Sequence, residues 1–110
     1  MATITADDYS PIYANDVEVP LSIQFLHKND QSPVSLSGAT ITMKMQNTDG
    51  IIKICNGTWT IDDTTNGKAH YQWQTADVNT IGNWMLYVTI TIGGAPVHAD
   101  AKPLEILYAP

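Results

Sequence analysis

An all-β chain, folded as an immunoglobulin-like antiparallel β-sandwich of seven to eight strands, is the class this sequence predicts. Two patterns point there: alternation of apolar and polar residues recurs with period two along the chain, and glycine turn pairs punctuate it at sandwich-like spacing. Composition agrees, with 44% hydrophobic residues, only 15% charged ones and a surface left largely to Thr, Asn, Gln, Asp and Ser. A small barrel satisfies the same patterns.

The elements follow in order. In "VEVPLSIQF", Val17, Val19, Leu21, Ile23 and Phe25 alternate with polar residues, which predicts a strand with one core face. Pro20 places it at an edge or a bulge, because proline cannot donate to a ladder. After a polar loop, "ATITMKMQN" sets Ile41, Met43 and Met45 on one face. Asp49-Gly50, Asn56-Gly57 and Asn66-Gly67 read as tight turns, framing "IIKIC" and "TWTI" as strands. "KAHYQWQ" then turns Ala69, Tyr71 and Trp73 inward, and "NWMLYVTITI" does the same with Trp84, Leu86, Val88, Ile90 and Ile92. Gly93-Gly94 closes a further hairpin, and Leu104, Ile106 and Tyr108 are in phase in the last run.

Residues 1 to 15 are polar and acidic apart from a few large apolar side chains. They divide the chain into an N-terminal arm, 1 to 15, and a sandwich, 16 to 110. The arm either packs on its own sandwich or lies on a neighbouring subunit, and Ile4, Tyr9, Ile12 and Tyr13 are its candidate partner contacts.

Charge excludes some functions. Five Lys plus Arg stand against eleven Asp plus Glu, for a net charge of -6, and no basic patch is gathered for nucleic acid. The N-terminus lacks a basic start and an apolar run, so neither a signal peptide nor a membrane anchor is expected. The single cysteine, Cys55, reads as a plain strand residue.

Catalytic motifs are equally sparse. His27, His70 and His98 have none of the short spacings of a zinc site, so no metal, no cofactor and no catalytic residue is expected. The pairs Asp7-Asp8 and Asp62-Asp63 read as solvated acids, with a weak calcium loop at "DDTTNG" as the competing reading. No serine sits in a nucleophile elbow. Trp73 and Trp84 fall in phase with the core, whereas Trp59 lies on no clear stripe and is a possible glycan-stacking ring.

The order of several motifs resembles a known family. Pro33 through Thr40 ("PVSLSGAT"), then Gly67, Tyr71 and Trp73, then Asp77, Gly82 and Trp84 are similar to the N-terminal immunoglobulin-like domain of phage baseplate upper proteins, over about residues 16 to 108. The resemblance implies that Leu36 plugs an end of the sandwich behind Gly38, and that Asp77 to Gly82 is the corner where the chain crosses between sheets. Trp84 stands where the family commonly has tyrosine, which leaves the tyrosine-corner hydrogen bond of such domains without its usual donor.

By the same resemblance the chain is expected to be a non-enzymatic structural protein of a tailed-phage virion, assembled in the host cytoplasm. A free-standing copy of the domain points to a capsid decoration or cement protein that docks on the capsid or other virion proteins, with a homodimer as one oligomeric form. A tail, neck or baseplate adaptor is the alternative, and a carbohydrate-binding module is a second one.

Overall fold

The computed structural model describes residues 2–6, 11–99 and 101–108. Ten strands build two sheets: β1 (Ala2–Ala6), β2 (Ile12–Tyr13), β3 (Leu21–His27), β4 (Thr40–Asn47), β5 (Ile52–Cys55), β6 (Trp59–Asp63), β7 (Lys68–Tyr71), β8 (Gly82–Ile92), β9 (Ala95–His98) and β10 (Lys102–Leu107). A short 3-10 turn, Thr75–Asp77, lies between β7 and β8. One sheet has the order β1-β3-β7-β6. The other runs β2-β10-β8-β4-β5, with β9 also paired to β8.

All pairings are antiparallel except β2 with β10, which run parallel. This is an immunoglobulin-like sandwich, with a four-stranded sheet facing a larger one built around a central hairpin-fed strand. Ten strands rather than seven or eight arise because residues 1 to 15, read as an arm, contribute β1 to one sheet and β2 to the other. Between β9 and β10 the register against β8 steps by one residue, from Thr89 opposite His98 to Leu86 opposite Lys102, as at a β-bulge.

Of the residues read as an arm, Ala2–Ala6 forms β1 of the four-stranded sheet and Ile12–Tyr13 forms β2 of the other. Ala2–Ala6 pairs with β3 over its whole length, Ile4 opposite Phe25, and Ile4 is buried in the core. A single large apolar side chain flanked by threonines is enough to seat this strand, because Ile4 fills the same layer as Ile23 and Phe25. Ile12 is half-buried against the same core.

The core joins both sheets. Leu21, Ile23, Phe25, Ala69, Tyr71 and Trp73 face Ile41, Met43, Met45, Trp84, Leu86, Val88, Ile90, Leu104 and Ile106, so these alternations read correctly. Others do not. The first predicted strand starts only at Leu21, with Val17 half-buried and Val19 68% exposed. Tyr108 lies beyond the last strand and is exposed rather than inward.

Leu36 is buried, and its amide donates to Thr64 O at 3.0 Å, which closes one end of the sandwich. Gly38, at φ +70 with open space where a Cβ would stand, is required by its backbone conformation alone.

Candidate functional site

The corner between the sheets gathers a cluster of buried, mutually bonded polar groups. Tyr71, fully buried at the end of β7, donates its hydroxyl to Asp77 Oδ2 at 2.6 Å. The same carboxylate oxygen accepts the Gln74 amide at 2.9 Å, while Tyr71 Oη accepts the Gly57 amide at 2.7 Å. Asp77 is buried to 3% exposure, and its donors supply what a buried carboxylate requires.

The Cys55 thiol also hydrogen-bonds Asp77, and burial, followed by that carboxylate's charge, pushes the thiol up to about 12. Burial first, then the bond to Asp77, raises the Tyr71 hydroxyl above the ordinary tyrosine value. Both groups keep their protons at neutral pH, so the cluster is a structural latch. It has no activated nucleophile.

Asn56-Gly57 was expected to turn the chain by positive φ. Gly57 instead is there for space: a Cβ would lie 2.4 Å from Gln72 O and 2.6 Å from Tyr71 Oη.

Lys53 reaches under β5 to the same corner. Its ammonium donates to Ala76 O at 2.9 Å, Asn79 Oδ1 at 2.5 Å and Thr80 Oγ1 at 3.0 Å, using all three N–H groups. It also stands 5.2 Å from the Trp84 ring centroid, within cation–π reach. Desolvation lowers its pKa from the ordinary lysine value.

Trp84 itself is buried, and its indole N–H donates to Thr80 O at 3.1 Å. The indole N–H thus ties the start of β8 to main chain four residues upstream. Gly82 opens β8 just before it, at φ +144.

The remaining expected residues lie elsewhere. Trp59 is on β6 opposite Tyr71, its ring centroid 5.2 Å from the Tyr71 ring, and it packs half-buried against the core. Its indole nitrogen is enclosed without a hydrogen-bond partner among the described residues. Trp73, buried, meets the Tyr71 ring edge-on at 5.5 Å. Tyr9 lies outside the described residues.

The expected acid pair at Asp62-Asp63 divides its work. Asp62 binds His70 Nδ1 at 2.8 Å across β6 and β7. Asp63 accepts both the amide and the side-chain nitrogen of Asn66, and these bonds hold its pKa below the usual value. The turn is closed by its own side chains, and no group of ligands that could hold a metal ion occurs among the described residues. Ser22 lies opposite His70 in register, but among the described residues no hydrogen bond joins them as a serine nucleophile and its base require.

What the fold does present is apolar surface at the two edges of the larger sheet. At the β2 edge Tyr13 is 51% exposed, beside Val19, and both line an open groove of about 250 Å³ with Pro11, Pro20 and Trp73. Exposed Tyr108 follows Leu107, the register partner of Tyr13. At the β5 edge Ile51, Ile52 and Ile54 are all more than half exposed. Sequence reading missed these isoleucines because a run of apolar residues on a short strand gives no phase.

No family model matches the chain, and no curated protein matches it. Among solved structures, one of murine CRIg is similar at 12% sequence identity, covering 100% of this chain and 99% of that one, with a TM-score of 0.46.

Proposed function

We propose that this chain is a non-enzymatic structural protein of a tailed-phage virion, a capsid decoration protein that docks by protein contacts through the β2 edge of its larger sheet. The observation that carries the docking mode is the pairing of exposed Tyr13 and Val19 on one open groove, next to an edge strand only two residues long. Tyrosine gives contact area at low entropic cost and is enriched where binding energy concentrates. Buried Asp77, Tyr71 and Cys55, by contrast, are consumed in holding the corner. The virion assignment rests on the motif order from Pro33 to Trp84.

Of the four residues expected to contact a partner, Tyr13 keeps that role here. Ile4 and Ile12 belong to the chain's own core.

The test is binding of purified chain to virions that lack it. Tyr13→Ala should lower affinity about tenfold or more, as loss of an interface anchor does, while the melting temperature stays put. Full affinity in Tyr13→Ala and in the double variant with Val19→Ser would overturn this docking edge.

A further inference from the structure

Edge strands carry unpaired main-chain groups, and proteins blunt them with charge, proline, bulges or brevity. The described sheets end in four edge strands; at β1 the one large apolar side chain, Ile4, is buried, and the other three edges can be compared. The β6 edge carries Asp62 and Asp63 and a register irregularity between Ile61 and Asp63. The β2 edge is two residues long and follows Pro11. The β5 edge is four residues long and its one charge, Lys53, is turned to the corner, while on its solvent face Ile52 and Ile54 stand 52% and 63% exposed.

The ladder phase shows what this edge offers. Asn47 donates its amide to Ile51 O at 3.0 Å, and Asn47 and Ile51 fall in the same register as Met45 opposite Lys53 and Met43 opposite Cys55. In an antiparallel ladder, bonded pairs alternate with non-bonded ones. Ile51, Lys53 and Cys55 therefore turn their main-chain groups toward β4, and Ile52 and Ile54 turn theirs outward. Each of these two residues presents an open N–H, an open C=O and an exposed apolar side chain together.

Lys53 is the one charge on β5. Its ammonium is carried beneath the sheet to Ala76 O and Thr80 Oγ1, away from the line along which another strand would pair.

We propose that two copies of this chain associate through β5, antiparallel about a two-fold axis at Lys53, to make one continuous sheet. In this register Ile52 of each copy lies opposite Ile54 of the other, and both isoleucines exchange both main-chain bonds. In this register a second β5 satisfies the open groups of Ile52 and Ile54 on both copies at once. Burying Ile51, Ile52 and Ile54 from both copies removes on the order of several hundred Å² of apolar surface, less than a stable specific interface buries. The dimer is accordingly weak in free solution. It gains when neighbouring copies are held close, as on a repeating surface.

This association is a property of the isolated chain, so its failure and failure of virion docking are separate results. Sedimentation equilibrium over a concentration series should show reversible dimerisation. Ile54→Pro removes an N–H that the chain's own ladder does not use, and should weaken the dimer roughly tenfold to a hundredfold, two hydrogen bonds being lost per dimer. Ile52→Lys should weaken it as well. Because a variant can perturb folding, wild-type amide exchange supplies the second readout: the Ile52 and Ile54 amides should slow as concentration rises, while β6 amides do not change. A monomer at every concentration, or a dimer that both variants leave intact, or no concentration dependence at Ile52 and Ile54, would overturn the proposal.

Discussion

The two edges of the larger sheet are built in opposite ways. β5 is fixed from beneath: Lys53 is tied to the crossing between the sheets, and Cys55 touches the Asp77 latch. β2 hangs from β10 by a two-residue parallel pairing, helped by Ala14 N to Leu107 O at 2.8 Å and Asn15 N to Val78 O at 2.9 Å. A rigid edge with open main chain suits strand pairing, where register must be exact to one residue. An edge with a protruding tyrosine and little ladder suits side-chain docking on a differently shaped partner. One sheet can thus serve two contacts without either interfering with the other.

The comparison can be broken at the corner that supports β5. Trp84→Ala should have the largest effect, about 3 to 5 kcal/mol, since it empties a large core volume and removes both the Thr80 bond and the cation–π contact of Lys53. Chemical denaturation measures it, and an unchanged midpoint would show that the corner carries no stability. Gly57→Ala should cost about 2 to 4 kcal/mol, because its Cβ collides with main chain and displaces the Tyr71 hydroxyl. Tyr71→Phe keeps the ring and deprives buried Asp77 of a donor, for about 1 to 3 kcal/mol. Either of these two should raise exchange at the Lys53 and Cys55 amides more than at Ala14.

A smaller effect is expected in alkali. Cys55 is raised from 9.0 to about 12, and Tyr71 is raised too. A proton held more tightly in the folded chain stabilises it below the unfolded pKa, and that contribution disappears as pH climbs toward the folded value. The melting temperature should therefore fall between about pH 9 and pH 12. Cys55→Ala should flatten part of the decline.

The smallest stability change belongs to the β2 edge. Tyr13→Ala should shift stability by no more than about 0.5 kcal/mol, as surface substitutions do, although it is the variant expected to lose virion binding. A large loss of stability there would make Tyr13 a core residue in function and remove the contrast between the edges.

Much of the sandwich was legible in the sequence because its long strands alternate cleanly. Met43 and Met45, Tyr71 and Trp73, and Leu86 through Ile90 declare their face by period two. β1 was not legible, since "ATITA" has one large apolar residue and its place is set by Phe25 across the ladder. Trp59 had no visible phase because its stripe is completed by Tyr71 and Ala69 on the neighbouring strand. The corner was anticipated as a crossing, with Trp84 behind it. The Lys53 clamp was not, as it joins residues more than twenty positions apart, which local pattern cannot report. Gly57 misled for a related reason: Asn-Gly announces a turn, yet the constraint comes from a tyrosine on another strand.

The measurement that tests the central claim most directly is the number of copies of this chain per purified virion, by quantitative mass spectrometry against the portal protein. Decoration of a capsid lattice predicts copies on the order of hundreds. A few to some tens would move the same docking module to the neck, tail or baseplate, and its absence from virions would contradict the account.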